Sequence, residues 1–212
     1  VQTCALPIST SVDPDLRIAH VGIDRKHADM VDMACWFPIS AARKSVASKR
    51  IAKLANRFYG LPTNRSQRQT LEIDAPLVLE MCQVDHVDAV ILIPNCPICH
   101  QSISLLARYL EDANIPTVII GAAKDIVEYC GVPRFVFNDF PLGNAAARPH
   151  DEDSQAIIFE LALKLLENAP GPRITIQSNL RWSADPLWKL DYMNIERLSN
   201  DEREKLKIEA EA

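Results

Sequence analysis

The chain has little glycine, six residues in 212, so Gly-rich phosphate-cradling loops are not expected. It has no long hydrophobic run. The longest, Ala89 to Ile93 extended by Pro94, falls far short of the roughly 20 residues of a membrane span, and no membrane association is expected. It lacks a basic excess: 23 Lys and Arg stand against 28 Asp and Glu, a net charge of −5. Nucleic acid is therefore not an expected partner. No cationic stretch followed by an apolar run opens the sequence, so no secretory signal is read and the cytoplasm is the expected compartment. There the six cysteines read as thiols, redox groups or metal ligands rather than structural staples. A chain of this length can bury a core without such staples.

What is present is an alternation of strand-length and helix-length patterns. Residues 1–9 look like translated sequencing adapter and are read as a non-native leader. Leu16 to Val21 reads as a short strand and Gly22 to Asp32 as a polar loop. Helical spacing of apolar residues runs from Ser40 to Tyr59, with a basic stripe of Arg43, Lys44, Lys49, Arg50, Lys53 and Arg57 read as a solvated face. A second helix is expected over Ile73–Val84, with Asp74 as N-cap. Asp88 to Pro94 carries the continuous apolar run Ala89–Ile93, the mark of a strand buried on both faces, and is expected at the centre of the sheet. A helix over Ser102–Ala113, a strand over Ile115–Ile120, a helix over Ala123–Cys130, a strand over Arg134–Phe137 and a helix over Asp151–Asn168 follow. This order predicts an α/β fold with a parallel sheet, a Rossmann-like three-layer architecture with right-handed crossovers. Residues 10–170 form the expected α/β domain. Pro170-Gly171-Pro172 marks a boundary, and 171–212 reads as a polar C-terminal arm anchored by Trp182, Trp188 and Tyr192.

Ligands of open parallel sheets bind beyond the carboxyl ends of the strands. The strand from Asp88 runs straight into Asn95-Cys96-Pro97-Ile98-Cys99-His100, and a helix follows. Both cysteines thus fall at a strand end and a helix N-terminus, where unpaired N–H groups and the helix dipole favour a thiolate. His100 is a candidate ion-pair partner or proton donor. Cys99, one turn further on, is expected to gain more from the dipole than Cys96. Half of a zinc site, completed by Cys130 or His150, and plain packing stay open beside the redox reading; no metal is assigned. Asp24 and Asp32 in the polar loop, and Asn138 and the Gly143 backbone after the third strand, are candidate substrate-binding groups with Asn95. Asp24, Asp32 and Asn138 are expected to approach the Cys96/Cys99 loop. Cys82 reads as core.

The segments Asp88 to Ser102, Ile115 to Val118, Phe140-Pro141-Leu142-Gly143-Asn144 with Gln155 downstream, and Leu16 to Asp32 ending in Cys35-Trp36-Phe37-Pro38, resemble the glycine/sarcosine/betaine/D-proline reductase selenoprotein B family. The likeness covers about Asp15 to Leu198, and a start after the family's first strand is expected. The resemblance implies reductive cleavage of a carbon–nitrogen bond of an amino acid or amine. It implies a partner subunit whose pyruvoyl group binds the substrate amine, and a separate thiol electron donor. Its Cys-x-x-selenocysteine maps the nucleophile onto Cys99 and the resolving thiol onto Cys96, with cysteine in place of selenocysteine. No cofactor is expected in this chain itself. The small-molecule substrate is not named by the residues, and assembly into an oligomer is compatible with the family. A strand ending in Asn-Cys also resembles the aspartate/glutamate racemase half-site, with Cys35 as the second acid–base group. A non-catalytic binding subunit is the third reading.

Overall fold

A computed structural model describes residues 6–16, 22–29, 31–63, 65–192, 194–201 and 203–204. The strand expected over Leu16–Val21 falls almost wholly outside the described residues. The chain runs β1 (Leu6–Ser9), α1 (Ile39–Ala47), β2 (Arg57–Gly60), α2 (Gln67–Gln69), α3 (Ala75–Val84), β3 (Val90–Leu92), α4 (Pro97–Asp112), β4 (Thr117–Gly121), α5 (Lys124–Cys130), β5 (Arg134–Phe137), α6 (Glu152–Asn168) and β6 (Ile174–Gln177). Strands β3-β4-β5-β6 form a four-stranded sheet in that order, every pair parallel. β1 and β2 form a separate antiparallel pair.

The sheet is covered on both faces. Side chains alternate along a strand, so Ile119 joins Val78, Leu106, Leu110 and Val127 beneath α3, α4 and α5. Val118 and Ile120 point the other way, onto Ile158, Ala162 and Leu165 of α6. α1 packs beside α6, where Ala41 and Ala42 meet Phe159 and Leu163 near Ile91 of β3. The result is the expected three-layer α/β arrangement. Cys82 is fully buried in the first core.

Several local expectations need correction. β4, buried at all five positions, takes the interior place foreseen for the Asp88–Pro94 strand. β3 stands at the sheet edge among the described residues. Its apolar run has another cause: Leu92 and Ile91 face the two opposite cores. The strands follow one another across the sheet, yet α6 lies on the face opposite α4 and α5. The β5–α6–β6 crossover therefore has the opposite hand to the two before it, a departure from the right-handed rule.

The helix expected over Ser40–Tyr59 ends at Ala47. Lys49 turns to φ 61°, and the chain then leaves for β2. Most of the basic stripe is ion-paired: Arg43 to Asp13, Lys44 to Glu152, Arg50 to Glu160 and Glu167, and Arg57 to Asp85. Asp74 is no N-cap. Helical backbone begins after Ser66, whose hydroxyl accepts from the Gln69 N–H, and passes through a π turn at Thr70–Asp74 into α3. Finally, β6 carries the sheet past the boundary expected at residues 170–172. Among the described residues no helix is long and apolar enough to cross a membrane.

Candidate functional site

Parallel pairing places the ends of β3, β4, β5 and β6 side by side at one edge of the sheet. Cys96 follows β3 and is the N-cap of α4. Its backbone is extended (φ −126°, ψ 165°), and its sulfur accepts the Cys99 N–H, at 3.1 Å. Pro97 occupies the first helical turn, where its missing N–H has no helical partner to lose. The i, i+3 spacing brings the two sulfurs together, and Cys96 and Cys99 form a disulfide across a Cα–Cα distance of 5.0 Å. Cys96 is fully buried, whereas Cys99 is half-buried and lies 3.5 Å from the Thr63 hydroxyl. The cap interaction thus belongs to Cys96, not to Cys99 as the dipole argument expected. What distinguishes Cys99 is access.

His100 is fully buried. Its Nδ1 lies 2.7 Å from the Cys96 carbonyl, and its Nε2 accepts N–H groups of Ala122 and Ala123 at 3.0 and 3.2 Å. Both ring nitrogens are therefore engaged by backbone. Burial pushes its pKa down to about 4, so the ring is neutral at pH 7. This is the geometry of a brace between the cysteine turn and the end of β4 rather than of a proton donor.

The other candidates gather where the 22–36 loop meets the 138–155 loop. The Asp24 N–H donates to the Leu142 carbonyl, and the Ala146 N–H to that of Cys35. The Asp29 N–H donates to Asn144 Oδ1 at 3.0 Å, and Asn138 Nδ2 donates to the Ala145 carbonyl at 2.7 Å. Gly143 has φ 107°, a value glycine adopts at little steric cost, and it turns the chain so that Asn144 faces this seam. Asp32 has both oxygens engaged, one by the Ala34 N–H and the other by the His150 N–H and, at 3.5 Å, Gln155. His150 also reaches Asp29 at 3.2 Å.

Asp24, Asp32, Asn138 and Gly143 are thus brought to one seam. Among the described residues none of them shares a hydrogen bond with Cys96 or Cys99. The link runs through the sheet edge: the Asn138 N–H donates to the Gly121 carbonyl, next to the two amides that brace His100, and the Ser178 N–H donates to that of Phe137.

Six of the nine buried polar side-chain atoms that lack a hydrogen-bond partner among the described residues belong to these loops and strand ends: Asn95 Oδ1, Asp24 Oδ2, Trp36 Nε1, Asn138 Oδ1, Asn144 Nδ2 and Ser178 Oγ. Such atoms are rare in folded proteins and call for a partner such as a ligand or water. Trp36 and Asn144 lie inside the segments 35–38 and 140–144 that carry the family resemblance, whereas Ser178 lies in no motif. Thr63 has no sequence signal at all. Burial pushes the Asp24 carboxyl above its ordinary range. Burial, reinforced by the Asp32 and Asp29 carboxylates, pushes the Cys35 thiol up to about 12.

The chain is 31% identical over 168 residues to the D-proline reductase subunit gamma of Acetoanaerobium sticklandii, a match covering 78% of this chain and 68% of that protein. It belongs to the D-proline reductase subunit gamma family. No family model and no solved structure matches it. Within this family member, the cysteine pair and the polar seam stand at one edge of one sheet.

Proposed function

We propose that this chain is a reductase subunit of the selenoprotein B type, with cysteine at the selenocysteine position, that reductively cleaves a carbon–nitrogen bond of an amino acid or amine. The observation that carries the reading is the disulfide-forming Cys96–Cys99 pair at a strand end and helix N-terminus, in a relative of a D-proline reductase subunit. The Cys99 thiolate, the accessible one, attacks the substrate α-carbon. A carbon–sulfur bond forms and the carbon–nitrogen bond breaks, the electron pair leaving with nitrogen, which takes up a proton. The Cys96 thiolate then attacks the Cys99 sulfur. The disulfide forms, the carbon leaves with the electron pair and is protonated, and the substrate has gained two electrons from the dithiol. A small or protein dithiol donor restores the pair by exchange at the more accessible Cys99 sulfur, with the capped Cys96 as the better leaving thiolate.

A pyruvoyl group on a partner subunit would supply the carbonyl that binds the substrate amine; this chain's share is the face carrying Cys99. Asn95, Asp24 and Asn138 offer buried acceptors for a polar substrate, while Asp32 and Gly143 hold the loop that presents them. Among the described residues the free thiols Cys35, Cys82 and Cys130 accord with a reducing, cytoplasmic setting. A racemase-type reading would need Cys35 as an acid–base group. A thiol held near pKa 12 is poorly matched to proton transfer at neutral pH.

The test uses the full chain with its co-expressed partner subunits, a dithiol donor and a panel of amino acids headed by D-proline. We expect a product two electrons more reduced than its substrate, and loss of turnover in Cys99→Ser. Exchange of the substrate α-proton with solvent in the absence of reductant, or turnover that survives Cys99→Ser, would overturn the reading.

A further inference from the structure

Resting on the reading of Cys96–Cys99 as a redox pair, we propose that His100 is a positioning residue that sets the pair's thiol–disulfide equilibrium by clamping the Cys96 turn to the end of β4. An Nε2 that accepts two N–H groups carries no proton. The ring is therefore the Nδ1–H tautomer, assigned from its hydrogen bonds, and it donates to the Cys96 carbonyl at 2.7 Å. The same carbonyl accepts the His100 backbone N–H at 3.0 Å, the first bond of α4. With both lone pairs engaged, the Cys96 peptide is held at the extended geometry from which its sulfur caps the helix.

β4 is shaped to seat the ring. A Cβ on Gly121 would lie 3.0 Å from both Cδ2 and Nε2 of His100, tighter than an ordinary carbon contact. Bare glycine backbone is what lets the imidazole reach the amides of residues 122 and 123. The N–H that Cys96 sulfur accepts, together with the helix dipole, stabilises a thiolate. A disulfide carries no such charge, so the clamp favours the dithiol form. Loosening it shifts the balance toward the disulfide.

The experiment equilibrates the purified full chain with glutathione buffers of graded ratio. One protein disulfide and two glutathione thiols exchange with one protein dithiol and one glutathione disulfide. Acid quenching, alkylation and mass spectrometry give the reduced fraction. His100→Gln keeps an acceptor near the Nε2 position and loses the donor to Cys96. His100→Asn keeps a donor near Nδ1. We expect His100→Gln to move the equilibrium about tenfold toward the disulfide, ~30 mV for this two-electron couple, and His100→Asn to move it less. An equilibrium within about twofold of the parent in a folded His100→Gln protein, or a shift toward the dithiol, overturns the proposal. If the His100 variants do not fold, Gly121→Ala displaces the ring while leaving it in place in the sequence. The same direction of shift is expected, and its absence overturns the proposal. No substrate or partner enters the assay, so an unchanged equilibrium leaves the cleavage reading standing. Failure of cleavage equally leaves this measurement intact.

Discussion

At the scale of single residues, activation and access are divided between two cysteines. The sulfur that receives the helix amide is fully buried, and the sulfur that reagents can reach is its neighbour one turn on. Limiting iodoacetamide on the reduced protein at neutral pH should therefore modify Cys99 before Cys96. Cys35 and Cys82, buried and pushed up to about 12 and about 11, should label only on unfolding. Peptide mapping against time reads the order, and Cys96 labelling first would exchange the two roles. Asp24 supplies a second prediction. Burial raises its folded pKa. A raised carboxyl contributes stability that is present below the unfolded value of 3.8 and is lost as pH rises through the folded value. At pH 7 the buried charge therefore weighs against the fold. Asp24→Asn keeps an oxygen for the Lys26 and His27 amides. Urea melts should show it more stable than the parent at pH 7, with the advantage gone below pH 3.8, while substrate binding weakens.

At the scale of elements, the caps explain where helices start. Asp151 opens α6 by accepting the Ser154 N–H at 2.9 Å, and Arg148 pairs with the same carboxylate. That backbone hydrogen bond, followed by the Arg148 pairing, holds its pKa below the ordinary value. The sign is the reverse of Asp24: the contribution is present above pH 3.8 and disappears as pH falls through the folded pKa. Asp151→Ala should cost about 1 kcal/mol at pH 7. Its melt should converge on that of the parent in acid. An equal difference at both ends of the range would remove the charged cap from the account. Helix ends of this kind are visible in sequence because a cap is local. The end of α1 is not: the apolar spacing of residues 40–59 continues, and β1, the carboxylates of α6 and Asp85 after α3 draw the chain away after Ala47.

At the scale of the whole molecule, the segment after β6 folds back onto the seam. Trp182 packs on Phe140 with ring centroids 5.6 Å apart, and Trp188 meets Trp182 and His27. Tyr192 donates to the Gly22 carbonyl at 3.1 Å, Asp191 pairs with Lys26, His27 and Arg197, and Lys189 pairs with Asp139. The arm thereby ties the Asp24 loop to the loop after β5. Asp191→Ala should raise hydrogen exchange in residues 24–28 while leaving β4 protected. Uniform loosening of the sheet, or no change in the loop, would deny the arm this role.

The layered α/β plan lay in the sequence because it depends on periods: a run of Val, Ile and Leu buried on both faces, then a helical face, repeated. The cysteine turn lay there too, since a strand end, a proline in the first turn and an i, i+3 spacing are local facts. What only the tertiary structure decided depends on partners remote in the chain. The place of β3 at an edge among the described residues follows from the strand order, and the opposite hand of the last crossover from where α6 packs. The neutrality of His100 follows from two amides 22 and 23 residues away. The unpartnered atoms of Trp36, Asn138 and Asn144 became visible only when the two loops were seen to close over them, because burial of a polar atom belongs to the packed molecule and not to the residue.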